Sequence, residues 1–108
     1  MLRGTTSKER TLFRLASGRE APWCLINKVT IPGWIRGMTL GPIIITERPD
    51  LPEVICHEMV HVEQYKKYPL TFLIKYWYYN WKYGYDKNPF EVEAYALEDR
   101  VKKLSLVA

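Results

Sequence analysis

Cysteine, histidine and glycine are scarce in this 108-residue chain, at two, two and six copies, and long apolar runs are absent. The longest stretch without a charged side chain, Gly37 to Thr46, is ten residues and includes two glycines and a proline. A membrane-spanning helix needs roughly 20 apolar residues, so none is expected. Lys8, Arg10, Arg14 and Arg19 interrupt the apolar residues near the start. That leaves no continuous core for a secretory signal and makes a cytoplasmic location the expectation. Cys24 and Cys56 lie far apart with no CxxC pattern, so both are expected as reduced core thiols rather than as a disulfide. No repeat, low-complexity tract or Gly/Ser-rich linker divides the chain. Nor is charge of one sign in large excess: sixteen Lys and Arg against twelve Asp and Glu give +4. This falls short of a nucleic-acid binder's signature, and nucleic acid is not an expected partner.

The residues that are present, 47% hydrophobic and 26% charged, suit one folded domain over residues 1–108. Ser7 to Ala16 carries a short amphipathic pattern that predicts a helix with Ser7 as its N-cap. Trp23 to Val29 and Met38 to Thr46 are β-branched and aromatic between Gly and Pro, which predicts two or three strands. Pro42 cannot donate to a ladder, so Gly41 to Glu47 reads as an edge strand. After Arg48 the pattern turns helical: Asp50 and Glu53 resemble a capping box, Pro52 suits a first turn, and a helix is expected from about Leu51 to Lys67. Pro69 restarts the pattern, with a second helix over about Leu70 to Lys82 that is apolar or aromatic round most of its circumference. Asn88 and Pro89 open a third, ending near Leu104. Strands first and helices after predict an α+β domain.

Inside the first of these helices lies His57-Glu58-Met59-Val60-His61, which holds both histidines of the chain. Four residues turn an α-helix by about 400°, so His57 and His61 project from one face, spaced to share one zinc ion per chain. Glu58 is then placed to act as general base in metal-assisted hydrolysis. A catalytic zinc needs a third protein ligand. With no other histidine, the acidic stretch Asn88-Pro89-Phe90-Glu91-Val92-Glu93-Ala94-Tyr95 is the leading source, and Glu91 opens a helix able to return alongside the first. Glu93 is a second candidate, because Glu91 also fits as a capping-box partner of Asn88. Gln64 falls about 20° from the direction of His57 on the helix and is placed either to support the site or to face solvent. Cys56 points about 100° from His57, as a core residue would.

The HExxH pattern, the Gln64 that follows it and the Asn-Pro-Phe-Glu-x-Glu-Ala segment together resemble the minigluzincins. These are minimal zinc metallopeptidases of the gluzincin clan, similar to the catalytic domains of membrane-embedded gluzincins. The resemblance covers about Ile43 to Leu104. It implies a small zincin-like domain, with His57, His61 and Glu91 as zinc ligands, Glu58 as general base, and a peptide or protein as substrate. Many clan members carry Asp four residues after the ligand glutamate; here Tyr95 stands there, able to hydrogen-bond near the metal or a substrate oxygen. Latency is a further implication, with either chain end, Met1 to Ala21 or Leu104 to Ala108, lying in the cleft.

A substrate is expected to pair with the edge strand, at Gly41, Pro42, Ile43, Ile44, Ile45 and Thr46. Between Tyr68 and Tyr85 lie nine of the chain's fifteen aromatic residues, and most are expected to pack as core behind the metal-binding helix. Rings left at the surface would favour a homo-oligomer. The competing reading is a zinc-stabilised, non-catalytic binding module that uses this aromatic and basic tract for a partner or for nucleic acid.

Overall fold

The computed structural model describes residues 2–30 and 37–107. Its elements run β1 (Leu2–Gly4), α1 (Ser7–Ser17), β2 (Leu25–Lys28), β3 (Gly37–Leu40), β4 (Ile43–Thr46), α2 (Pro52–Lys67), α3 (Phe72–Tyr83), a 3-10 turn (Tyr85–Lys87) and α4 (Pro89–Val107). This is the small α+β domain expected, with one strand more than the composition suggested. β1 escapes notice because Leu2-Arg3-Gly4 has no alternating apolar pattern; it forms by pairing antiparallel with β2.

Sheet order is β1-β2-β4-β3, with β2 and β4 parallel and the outer pairs antiparallel. The expected edge strand is therefore an interior one: Ile43, Ile44, Ile45 and Thr46 pair with β2 on one side and β3 on the other. Proline does not prevent this because Pro42 lies in the β3–β4 turn, where its carbonyl accepts the Leu25 N–H at 2.9 Å. Gly41, at φ 60°, supplies the positive φ that a two-residue hairpin loop needs. The edge on this side of the sheet is β3.

Register places Arg3, Ile26, Ile44 and Thr39 in one row across the sheet. Its apolar centre, Ile26 and Ile44, is buried with Leu12 and Phe13 of α1, with Ile55, Met59 and Val60 of α2, and with Ala94, Leu97 and Val101 of α4. α2 is consequently covered on almost every side, as a helix with little polar face should be.

The helix ends differ from the reading of the sequence. Thr6, not Ser7, caps α1, in a capping box completed by Glu9. Glu9 is also gripped by Arg3 of β1 at 2.8 Å. At the start of α2, Leu51 holds the cap position with no side-chain bond, because Asp50 is engaged with Arg48 at 3.0 Å. The largest departure is α3. Phe72 is its one buried residue, and Ile74, Trp77 and Trp81 are 71%, 74% and 82% exposed, so the aromatic tract is mostly surface and not core. Only one side of it packs, through ring contacts of Phe72 and Tyr79 with Phe90 at 5.0 and 5.5 Å.

Neither chain end enters the cleft within the described residues. Leu2–Gly4 is tied to β2, the strand pair at the far side of the sheet from β3, and α4 continues through Leu104 to Val107. Met1 and Ala108 lie outside the described residues. Among the described residues no helix is long and apolar enough to cross a membrane.

Candidate metal centre

α2 carries His57 and His61 one turn apart, and α4 packs along it so that Glu91, in the first turn of α4, meets both rings. Glu91 Oε1 lies 3.1 Å from His57 Nε2 and 3.2 Å from His61 Nε2. All three residues are buried, and one ligand atom from each lies within 4.8 Å of the others. Two imidazole nitrogens and one carboxylate oxygen are a donor set that suits zinc and related divalent ions while leaving a position open. A metal ion fits these residues.

Glu93 does not join them. It is exposed on α4 and accepts a 2.8 Å hydrogen bond from Gln64 Nε2. Asn88 begins α4 without help from Glu91: its Oδ1 accepts the Phe90 N–H at 2.9 Å, and its Nδ2 donates to Asn80 and to the Tyr76 carbonyl. Glu91 is thereby left for the histidines. Gln64 is buried and supports the site, its Oε1 lying 2.7 Å from His61 Nδ1 and its Nε2 donating to the Phe90 carbonyl at 3.0 Å. A proton on Nδ1 leaves the Nε2 lone pair of His61 aimed at the centre. Cys56 is fully buried, with its Sγ 3.7 Å from the Glu9 carbonyl, and burial pushes its thiol up to about 12. Cys24 is likewise a buried free thiol, pushed up to about 11.

Four residues at the site were not picked out from the sequence. Glu98 is almost fully buried, and its Oε1 lies 2.8 Å from His57 Nδ1. The approach is an ion-pair contact rather than an aligned hydrogen bond. Glu98 falls seven residues after Glu91, two turns along the same helix face, and that spacing was legible. Thr39 of β3 donates from Oγ1 to Glu58 Oε1 at 2.8 Å. Gly37, two residues earlier on the same side of β3, leaves little room for a side chain: a Cβ there would stand 3.2 Å from Glu58 Oε2 and 3.3 Å from the Ile45 carbonyl, tight enough that one of them must shift slightly. Tyr76 of α3 donates to Glu91 Oε2. Tyr95, by contrast, stacks edge-on to His57 at 4.5 Å, with its hydroxyl 3.0 Å from that of Tyr85.

The charges explain the titration. Glu58, Glu91 and Glu98, all buried, surround two buried imidazoles, so the histidines are pressed to hold protons. Burial alone would lower His57, but the bond to Glu91, contact with Glu98 and the charge of Glu58 prevail and push it up to about 9. His61 is raised as well, against its own burial, chiefly by Glu91 and Glu58. Burial would raise Glu91, yet both histidines and Tyr76 hold it well below the carboxylate range. Burial and the Glu91 carboxylate together push the Tyr76 phenol well above its ordinary value. A divalent cation would satisfy the same carboxylates in place of two protons.

The centre opens into a cavity of about 850 Å³. Thr39 and Leu40 of β3 form one wall, and Leu73, Tyr76 and Trp77 of α3 the other. Fold and site together define a small α+β domain with a buried His57, His61 and Glu91 group able to hold a metal ion. Searches of protein-family models, curated proteins and solved structures found no match to the chain.

Proposed function

We propose that the chain is a zinc-dependent peptidase. The observation that carries this reading is the convergence of His57, His61 and Glu91 beside a buried, unligating Glu58 at the floor of an open cavity. When bound, zinc supplies Lewis-acid polarisation of a carbonyl and lowers the pKa of water. Glu58 takes the proton from the attacking water and delivers it to the leaving amine. Thr39 holds the Glu58 Oε1 in place and leaves Oε2 free for that transfer, with Oε2 4.0 Å from His57 Nε2. Gln64 and Glu98 orient the two imidazoles.

The substrate strand pairs with β3, not with β4. Among the described residues β3 has a neighbour on one side only, and its Thr39 and Leu40 line the cavity, so an extended peptide beside it would reach Glu58. Met38 and Leu40 are 45% and 46% exposed and offer apolar contact to substrate side chains.

Zinc analysis and cleavage of a peptide mixture by the wild type and by Glu58→Gln test the reading. Zinc retained with hydrolysis lost in the variant supports a peptidase. A zinc-loaded wild type that cleaves nothing rejects it and favours the second reading, a metal-stabilised binding module. That second reading draws its support from the exposed aromatic side of α3.

A further inference from the structure

The outer side of α3 is as apolar as its inner side. Leu73, Ile74, Trp77, Tyr78 and Trp81, spaced at one, three and four residues, share one face and are 49%, 71%, 74%, 49% and 82% exposed. Leu70, just ahead of the helix, extends the patch at 91%. No acidic residue lies within the helix. Monomeric proteins seldom leave such a surface to water without using it.

Charge identifies what the patch meets. Residues 66–87 contain five lysines and one aspartate, so this segment accounts for the whole formal charge of +4 and the rest of the chain sums to zero. None of the five, Lys66, Lys67, Lys75, Lys82 and Lys87, forms an ion pair among the described residues. Three instead lie over rings: Lys82 over Tyr78 at 5.7 Å, and Lys67 and Lys75 over Tyr68 at 5.5 and 5.0 Å. Tryptophans and a tyrosine within an apolar stripe, with lysines that make no ion pair beside it, match a bilayer's headgroup region, where rings sit at the interface and cations meet anionic lipid. A twofold antiparallel pairing of α3 with a second copy would instead bring Lys75 and Lys82 of one copy toward those of the other. With twelve residues α3 is too short to span a bilayer, so it lies along the surface.

We infer that α3 is an interfacial helix that docks the protein on anionic membrane surfaces. Leu73 and Trp77 belong both to the exposed face and to the cavity wall, so a docked α3 sets the mouth of the cavity at the lipid surface. The docking stands whether or not the cavity hydrolyses anything.

Co-sedimentation with phosphatidylcholine vesicles, with and without phosphatidylglycerol, tests the inference at low and high ionic strength. The wild type should pellet with the anionic vesicles and release as salt is raised. Ile74→Ser with Trp81→Ser, neither of which lines the cavity, should lower binding by about tenfold or more. Lys75→Gln with Lys82→Gln should cost about fivefold per lysine while circular dichroism stays unchanged, which keeps the test valid if the apolar pair misfolds. Failure to pellet with anionic vesicles overturns the inference, as does binding that both variant pairs leave intact. It is equally overturned if sedimentation velocity shows a dimer that the Ile74 and Trp81 substitutions dissolve, since the face would then belong to a second copy.

Discussion

His57 is the residue on which the electrostatics of the centre turn, since three carboxylates compete for its ring. In metal-free protein its raised pKa means that the protonated ring stabilises the fold fully below about 6.5 and loses that contribution as pH rises through about 9. Glu91 runs the other way: its depressed pKa contributes above the ordinary 4.5 and is lost as pH falls beneath the carboxylate range. Both shifts describe one shared interaction, so they are not summed. The melting temperature of metal-free protein should therefore peak between about pH 4.5 and 6.5 and decline toward pH 9. Zinc must displace these protons, so zinc affinity measured by competition should climb over the range in which the metal-free fold weakens. A pH-independent affinity would contradict the arrangement.

The ligand assignment has its own test at this scale. Glu91→Gln should remove most bound zinc, whereas Glu93→Gln, which loses only its contact with Gln64, should keep it. Gly37→Ala forces a Cβ against Glu58 Oε2 and the Ile45 carbonyl. The expected result is retained zinc, reduced cleavage and a stability loss on the order of 1 kcal/mol, read by metal analysis, peptide assay and melting.

Elements were legible in the sequence where local chemistry sets them. α2 and α4 announced themselves by helix-forming residues and prolines at their starts, and HExxH needed nothing but its own spacing. Glu91 was legible only together with Glu93, because choosing between them requires knowing which face of α4 meets α2. Pairing partners were not legible: Pro42 suggested an edge, but a proline one residue outside a strand leaves the ladder untouched. The aromatic tract misled for a similar reason, since side-chain type signals affinity for apolar surroundings without saying whether these are core or something outside the chain. The α1 cap offers a direct check on local chemistry: Thr6→Ala removes one half of the Thr6–Glu9 box and should cost about 1 kcal/mol, visible as a lower melting temperature.

For the whole molecule, the core lies among the sheet, α1, α2 and α4, and α3 contributes nothing to that cluster. The centre binds α2 to α4 across the segment that contains α3. Zinc at about 100 times its dissociation constant should add about 2.7 kcal/mol to stability, and a chelator should remove it. The consequence of an excursion that lies outside the core, between two ligand-bearing helices, concerns the timing of backbone opening. Amide protons of α3 should exchange with deuterium through local detachment, early and independently of the core, while those of α2 wait for global unfolding. Metal would slow exchange at both ends of the loop, near His61 and Glu91, more than at its middle. The wall of the cavity is then a unit of local opening distinct from the metal-binding floor, which opens only with the core.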